Sequence, residues 1–379
     1  MPLPNTLEML RTLVGEPSVS CIDPAIDQSN HSVVNHLANW LDDLGFDVEV
    51  VPVPNKPGKS NVIARRGSGT DGLVLSGHTD TVPFDEALWH SDPFEVNERD
   101  AKFYGLGTCD MKGFFPLALA AAARHADSKL KKPLTVIGTA DEESTFAGAR
   151  YLAARGEPKA AAAVIGEPTG MTPIRAHKGF TSASIAIQGS SGHSSNPALG
   201  DNALDAMYRV MGTLIAFRRE LGERHSDPSF EVRVPTLNLG CLHAGDNPNR
   251  ICGHAELKID LRVLPGMDTA AVLDELDGRV REACAATPVT ITALNQPVQP
   301  YETPADGRLV KTLETLSGKR ARTVAFGTEA PFFQALGMET VVFGAGSIDQ
   351  AHQPDEYLDA AQIKPMEDAL TTLIAQYCC

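Results

Sequence analysis

The chain has 379 residues, of which 42% are hydrophobic and 21% charged, and its formal net charge is −15. This length exceeds one ordinary hydrophobic core, so we expect two domains. The negative charge argues against nucleic acid as a partner, and no apolar run approaches the roughly 18 residues that cross a membrane. The seven cysteines are odd in number and lack C-x-x-C spacing, and no basic segment precedes an apolar one at the N-terminus. These features predict reduced thiols and a cytoplasmic protein.

Up to residue 177 the pattern alternates between amphipathic helices and buried strands. The predicted helices span 7–14, 32–44, 114–125 and 146–155, and the predicted strands span 47–53, 61–64, 73–76 and 160–165, with a further strand beginning at 134. This order predicts an α/β fold with a mixed, mostly parallel sheet flanked by helices.

The pattern of predicted helices and strands changes at Lys178. Strands are predicted at 180–188, 232–242 and 255–263, helices at 203–221 and 270–285, and a loop at 189–197. The order strand, helix, strand, strand, helix, strand predicts a smaller α+β insert of ferredoxin-like type over residues 178–289. The first domain, 1–177, then resumes over 290–379 with a helix at 307–317, a strand at 340–343 and a helix at 360–377. Cys378 and Cys379 are expected to form an exposed tail.

The strand that begins at Leu134 ends in three consecutive acids, Asp141, Glu142 and Glu143. Carboxylates crowded at the end of a buried strand repel one another and are costly to desolvate unless a cation offsets them. Taken alone, the stretch is also compatible with a solvated acidic turn.

Other apolar or glycine-bounded runs also end in residues that can bind metal. In G-H-T-D, His78 and Asp80 lie two residues apart on an extended chain and therefore face the same side. His78 can bind a metal while Asp80 holds the other ring nitrogen. Asp110 precedes a predicted helix, where it could instead serve as an N-cap. The candidate ligands are His78, Asp110, Glu143, Glu167 and His352.

In open α/β sheets, ligands gather at the carboxyl ends of the strands. Two imidazoles and three carboxylates suit two divalent ions of borderline softness, with one carboxylate bridging them.

The motifs G-H-T-D, G-T-C-D-M-K-G, D-E-E-S, G-E-P-T and A-H-Q-P-D-E occur in this order along the chain. Together they resemble the co-catalytic zinc aminoacylase and carboxypeptidase family over essentially the whole length. The resemblance implies two divalent ions, zinc being favoured and cobalt the alternative. It implies that Asp110 bridges them and precedes a cis peptide bond to Met111. The remaining ligands then form two pairs, His78 with Glu167 and Glu143 with His352.

The same resemblance assigns catalytic roles to Glu142 and Asp80. Glu142 is expected to act as general base and acid on a metal-activated water, and Asp80 to support His78. Independently, a water activated by a metal must still give up its proton, and Glu142 adjoins the ligand Glu143. A catalytically silent metal-binding scaffold is the alternative outside enzymes.

In the insert, G-S-S-G-H-S-S-N-P resembles the family's lid loop, in which His193 stabilises the oxyanion, often across a dimer interface. A solvated loop histidine is the alternative. Asn249 and Arg262 match family positions that bind the carboxylate and a nearby carbonyl of the substrate. Cys252 replaces the proline that relatives often carry. The family also implies a homodimer formed through the insert.

The segment F-G-T-E-A-P-F-F offers Glu329 as an anion for a cationic substrate. Propensity alone equally allows a helix N-cap at Thr328 and Glu329. Together with G-S-I-D-Q-A-H-Q-P-D-E-Y, this segment resembles the members of the family that act on acetylornithine. The resemblance implies hydrolysis of N2-acetyl-L-ornithine to L-ornithine and acetate, a reaction of arginine biosynthesis. A broader N-acyl-amino-acid amidohydrolase, desuccinylases included, or a metallo-dipeptidase is the alternative.

Overall fold

The computed structural model describes residues 3–285 and 287–379 and divides into two compact units. Unit 1 contains the chain up to Arg175 together with Thr303–Arg322 and Thr328–Cys379. Unit 2 contains Ala176–Glu302 and Thr323–Gly327. Within the described residues, no helix combines the length and apolar character that a membrane crossing requires.

The α-helices in these residues are α1 (Thr6–Val14), α2 (His31–Asp43), α3 (Phe114–Ala123), α4 (Ala147–Arg155), α5 (Ala203–Arg224), α6 (Thr269–Cys284), α7 (Arg308–Ser317), α8 (Ala330–Ala335) and α9 (Ala360–Cys378). Side-chain caps explain where four of these helices, α1, α5, α6 and α9, begin. At α1, for example, the Asn5 side chain accepts from the backbone of Leu7 and Glu8, while the Glu8 carboxylate accepts from the Asn5 backbone. This reciprocal pair satisfies backbone N–H groups that a helix start leaves unpaired.

The strands are β1 (Asp47–Pro52), β2 (Ser60–Arg66), β3 (Leu73–His78), β4 (Asn97–Arg99), β5 (Lys102–Tyr104), β6 (Leu134–Thr139), β7 (Ala162–Ile165), β8 (Ile174–His177), β9 (Gly179–Gln188), β10 (Thr236–Ala244), β11 (His254–Val263), β12 (Val289–Ala293), β13 (Tyr301–Glu302), β14 (Arg322–Val324), β15 (Glu339–Val342) and β16 (Tyr357–Asp359).

The central sheet of unit 1 has the order β1-β2-β6-β3-β7-β15. Strands β6, β3, β7 and β15 run parallel, whereas β1 and β2 pair antiparallel at one side. Every residue of β3, β6 and β7 is buried, as expected of parallel strands covered on both faces. The predicted α/β class with a mixed, mostly parallel sheet is confirmed.

The register of this sheet brings the ends of three strands to one edge. His78 lies opposite Thr139, and Ser76 lies opposite Ile165. Because these strands are parallel, the segments that follow them leave the sheet at the same edge. The three acids after β6 and the G-E-P-T segment after β7 therefore emerge beside the G-H-T-D motif.

Unit 2 follows the predicted order β9-α5-β10-β11-α6-β12 and forms an antiparallel sheet with strand order β10-β11-β9-β12. This is the ferredoxin-like arrangement. Burial alternates along β11, so that Leu257, Ile259 and Leu261 join α5 and α6 in one core.

Two predicted segments differ from the structure. Strand β10 begins at Thr236 rather than at residue 232. The C-terminus is not an exposed tail, because α9 continues to Cys378, which is buried and whose thiol donates to the carbonyl of Pro133 at 3.4 Å.

Candidate metal centre

His78 ends strand β3, and its imidazole is buried among carboxylates. Its Nε2 atom lies 3.1 Å from Asp110 Oδ1 and 3.9 Å from Glu167 Oε1. Its Nδ1 atom lies 3.0 Å from the backbone carbonyl of Asp80, which can only accept, so Nδ1 carries the proton. In the neutral imidazole, Nε2 is therefore the nitrogen that can bind a metal held among these carboxylates.

Asp80 supports His78 through its backbone more closely than through its carboxylate. The Asp80 Oδ1 atom is 3.9 Å from His78 Nδ1, is buried, and has no hydrogen-bond partner within the described residues. Asp80 Oδ2 accepts from the backbone N–H of Glu143 at 3.1 Å. Asp80 thus connects the G-H-T-D segment to the acidic turn after β6.

Asp110 presents its two carboxylate oxygens to different histidines. Oδ1 faces His78, and Oδ2 lies 3.6 Å from His352 Nε2. The peptide bond from Asp110 to Met111 is cis. Helix α3 begins at Phe114 with Gly113 in the cap position, so the N-cap interpretation of Asp110 is wrong.

Glu143 and His352 form the other side of the cluster. His352 Nε2 lies 3.1 Å from Glu143 Oε2 and 3.3 Å from Glu143 Oε1. His352 has a positive φ of 59°, and its side chain is half exposed, whereas that of Glu143 is 7% exposed. Hydrogen bonding to Glu143 raises the pKa of His352 to about 9, although burial opposes this.

Glu142 shares a buried pocket with His78 and Glu167, their ligand atoms all lying within 4.8 Å of one another. Burial raises the pKa of Glu142 well above its ordinary value, and repulsion by Glu167 raises it further. Burial and repulsion by Asp110 likewise raise the pKa of Glu167 well above its ordinary value.

The donor atoms in this cluster fit divalent cations. Imidazole nitrogens and carboxylate oxygens are ligands of zinc and similar ions, and the crowded negative charge favours a cation. The placement of Asp110, whose two oxygens face two different histidines, also fits cation binding. All five predicted metal ligands therefore converge at one edge of the unit 1 sheet.

Asp141 belongs to a different network from its two neighbours. Its Oδ1 accepts from Lys59 at 3.0 Å, and its Oδ2 accepts from Lys56 at 2.9 Å. Asp141 and Lys59 are both almost fully buried. The solvated-turn interpretation is therefore wrong, and the cations that offset this acid are lysine ammonium groups. Lys59 was not predicted, because a lysine in a Pro/Gly turn normally indicates an exposed loop.

Glu329 is fully buried next to the sheet edge. Its two oxygens accept from the hydroxyl groups of Ser76 at 2.6 Å and Thr139 at 2.7 Å. Both of its oxygens are therefore engaged by hydroxyl groups of the protein itself. Glu329 occupies the cap position of α8 without capping through its side chain, whereas the Thr328 hydroxyl accepts from the backbone of Ala330.

His193, Asn249 and Arg262 belong to unit 2. His193 lies in an exposed loop, where its Nδ1 accepts from the Ser195 hydroxyl at 2.8 Å. The carbonyl of Asn249 accepts from the backbone of Ser194, so the His193 loop and Asn249 adjoin. Arg262, near the opposite end of β11, donates to Asp260 at 2.9 Å and stacks over the ring of Phe180.

Comparisons with known proteins agree with this architecture. The family model of peptidase family M20/M25/M40 matches residues 74–376. The chain is 48% identical over 384 residues to the acetylornithine deacetylase of Pectobacterium atrosepticum, covering 100% of this chain and 99% of that protein.

Two solved structures share the fold at low sequence identity. A metallo-carboxypeptidase of the M20 family from Sulfolobus solfataricus is 18% identical with a TM-score of 0.78, covering 99% of each chain. A dinuclear metal-binding peptidase of this family from Bacillus subtilis is 15% identical with a TM-score of 0.67, covering 98% of this chain and 97% of that one.

Proposed function

This chain belongs to peptidase family M20/M25/M40, and from that premise we propose that it is a metal-dependent amidohydrolase that converts N2-acetyl-L-ornithine to L-ornithine and acetate. The 48% identity to a full-length acetylornithine deacetylase supports this substrate, and arginine biosynthesis is the corresponding pathway. The observation that carries the proposal is that the two oxygens of Asp110 face two different histidines beside the buried Glu142.

Five side chains would hold two divalent ions, with zinc favoured and cobalt as the alternative. Asp110 would be shared, His78 and Glu167 would complete one site, and Glu143 and His352 the other. When bound, such ions act as Lewis acids that polarise the scissile carbonyl and lower the pKa of a coordinated water.

Glu142 would carry the proton during hydrolysis. The attacking water adds its oxygen to the acetyl carbonyl and gives a proton to Glu142, the C–N bond breaks, and that proton passes to the departing amine. A carboxyl group whose pKa lies well above its ordinary value is suited to both transfers, because it is basic enough to accept the proton and acidic enough to release it.

The domain roles form a second part of the proposal. Residues 1–177 and 290–379 would form the catalytic domain, and residues 178–289 an inserted lid that also forms a homodimer. In the insert, His193 would stabilise the oxyanion, and Asn249 with Arg262 would bind the substrate's carboxylate and carbonyl. A cytoplasmic location is consistent with seven free cysteines.

A direct comparison of substrates tests the proposal. Initial rates would be measured on N2-acetyl-L-ornithine, N-acetyl-L-methionine and a dipeptide, each with zinc, with cobalt and with chelator. We expect acetylornithine to give the highest kcat/KM and the chelator to abolish all activity. A higher kcat/KM for acetylmethionine or the dipeptide would replace this proposal with the broader aminoacylase or the dipeptidase.

A further inference from the structure

Glu356 is a buried acid four residues beyond His352, and the chemistry proposed above does not use it. Its side chain is 1% exposed. A single oxygen, Oε1, accepts three backbone N–H groups: from Gly107 at 3.1 Å, from Cys109 at 2.7 Å and from Asp110 at 2.9 Å. Successive backbone N–H groups that converge in this way form a concavity that holds a strong acceptor, and here the acceptor is a carboxyl oxygen of the protein itself.

The small sheet β4-β5-β16 places Glu356 at this position. Strands β5 and β16 pair antiparallel, with Tyr357 opposite Tyr104. The next residue outward on each strand is Glu356 on one and Gly105 on the other, and the N–H of Gly105 donates to the carbonyl of Glu356 at 3.0 Å. The ladder thus fixes the backbone of Glu356 immediately beside the start of the loop that carries Asp110.

These contacts join two loops that each supply a candidate metal ligand. Asp110 donates its own backbone N–H to Glu356, so the bond acts directly on the residue whose oxygens face both histidines. His352 lies on the segment that leads into Glu356. A shift of Glu356 would therefore move the shared carboxylate relative to the His352 side of the cluster.

The reach of the side chain is what this contact requires. One oxygen accepts from three backbone N–H groups at once, and all three belong to the loop that carries Asp110. If that oxygen were moved away, buried N–H groups would lose their partner, and the loop would shift to satisfy them.

We propose that Glu356 is a positioning residue that sets the affinity of the metal centre by fixing Asp110 between the two histidines. This inference rests on the ligand set given under the proposed function. Groups that orient metal ligands from behind typically change metal affinity by about 10–100-fold when they are removed.

The test compares zinc affinity of the metal-free protein, measured by competition with a chromophoric chelator, in wild type, Glu356→Asp and Glu339→Asp. Aspartate keeps the carboxyl group but is one methylene shorter, so its oxygen cannot reach the three N–H groups in the same way. Glu339 is the matched control, because its carboxylate also accepts a backbone N–H, from Leu309 at 2.8 Å. Glu339 is the first residue of β15. It therefore lies at the amino ends of the parallel strands, whereas His78 lies at their carboxyl ends.

We expect Glu356→Asp to bind zinc about 10–100-fold more weakly than wild type, and Glu339→Asp to bind it equally well. Thermal unfolding of the metal-free proteins accompanies the titration, so that any general loss of stability is measured separately. Glu356→Ala should weaken zinc binding further; if it does not fold, Glu356→Asp still decides the matter.

Unchanged affinity in Glu356→Asp would overturn this role, as would an equal loss in both aspartate variants. A wild-type protein that binds no zinc would instead refute the proposed ligand set itself, and this inference with it.

Discussion

At the scale of single residues, the sequence predicts the candidate metal ligands but not the residue that contacts the backbone of Asp110. Each of the five ligand-type residues follows or ends an apolar or glycine-bounded run, so that position and residue type together predict them. Glu356 could not be found in this way, because its role depends on a contact with the Asp110 backbone 246 residues away. A local pattern carries no information on such a pairing.

The role of Glu142 leads to a direct prediction. Glu142→Gln removes the proton acceptor and leaves the five ligands unchanged, so turnover should fall by about 10²–10⁴-fold or more. Bound metal, measured by elemental analysis, should stay near two ions per chain. If the variant keeps wild-type turnover, another group carries the proton. If it loses its metal, Glu142 contributes to binding the ions.

The burial of Glu329 leads to a prediction about selectivity. Its carboxylate is close enough for its charge to help raise the pKa values of Glu142 and Glu167, after burial and the nearer carboxylates. Its field should also favour a cationic substrate. Glu329→Gln should therefore lower kcat/KM more for acetylornithine than for the uncharged side chain of acetylmethionine. An equal loss on both substrates would assign Glu329 a purely structural role through Ser76 and Thr139.

At the scale of elements, the turn after β6 carries acids that face two different kinds of partner, lysines and histidines. Asp141 faces Lys56 and Lys59, whereas Glu142 and Glu143 face the histidine side of the cluster. Asp141 adopts a positive φ of 58°, and its carbonyl accepts from the backbone of Thr145 and Phe146. The ion pair with Lys59 thus fixes the turn from which the next two acids project.

Removing Lys59 should destabilise the protein far more than removing Lys56. Lys59→Met leaves a buried carboxylate without its buried partner, which typically costs about 3–5 kcal/mol in the free energy of unfolding. Lys56 is the matched control, because it pairs with the same carboxylate but is 35% exposed. Lys56→Met should cost about 1 kcal/mol or less. Denaturant unfolding of the metal-free proteins measures both, and equal costs would contradict the assignment.

The ion pair between Asp141 and Lys59 makes the destabilisation caused by Lys59→Met depend on pH. Burial would raise the pKa of Asp141, but hydrogen bonds from Lys56 and Lys59 lower it below its ordinary value of 3.8. Its stabilising contribution is therefore present above pH 3.8 and is lost as the pH falls through the folded-state pKa.

For Lys59, burial would lower the pKa, but bonding to Asp27 and Asp141 raises it above 10.5. Its contribution is fully present below pH 10.5 and is lost as the pH rises through the folded-state pKa. The cost of Lys59→Met should thus be constant near neutral pH and should shrink as the pH falls towards 3.8 and below it. A cost that does not change with acidification would contradict this account.

For the whole molecule, the long elements were predictable and the short ones were not. Helices such as α5 and fully buried strands such as β3 carry enough residues for their periodicity to be read. Strands β4, β5 and β16 have three residues each, too few for any period, and they form only because they pair with one another. That unpredicted sheet places Glu356 behind Asp110.

The central claim is that five side chains from separate parts of unit 1 bind two cations that hydrolysis requires. The most direct measurement is the rate of acetate release from N2-acetyl-L-ornithine as zinc is added to the metal-free protein. We predict no turnover without metal and a rate that rises until about two zinc ions are bound per chain. Full turnover by the metal-free protein, or no turnover at any zinc concentration, would contradict the account.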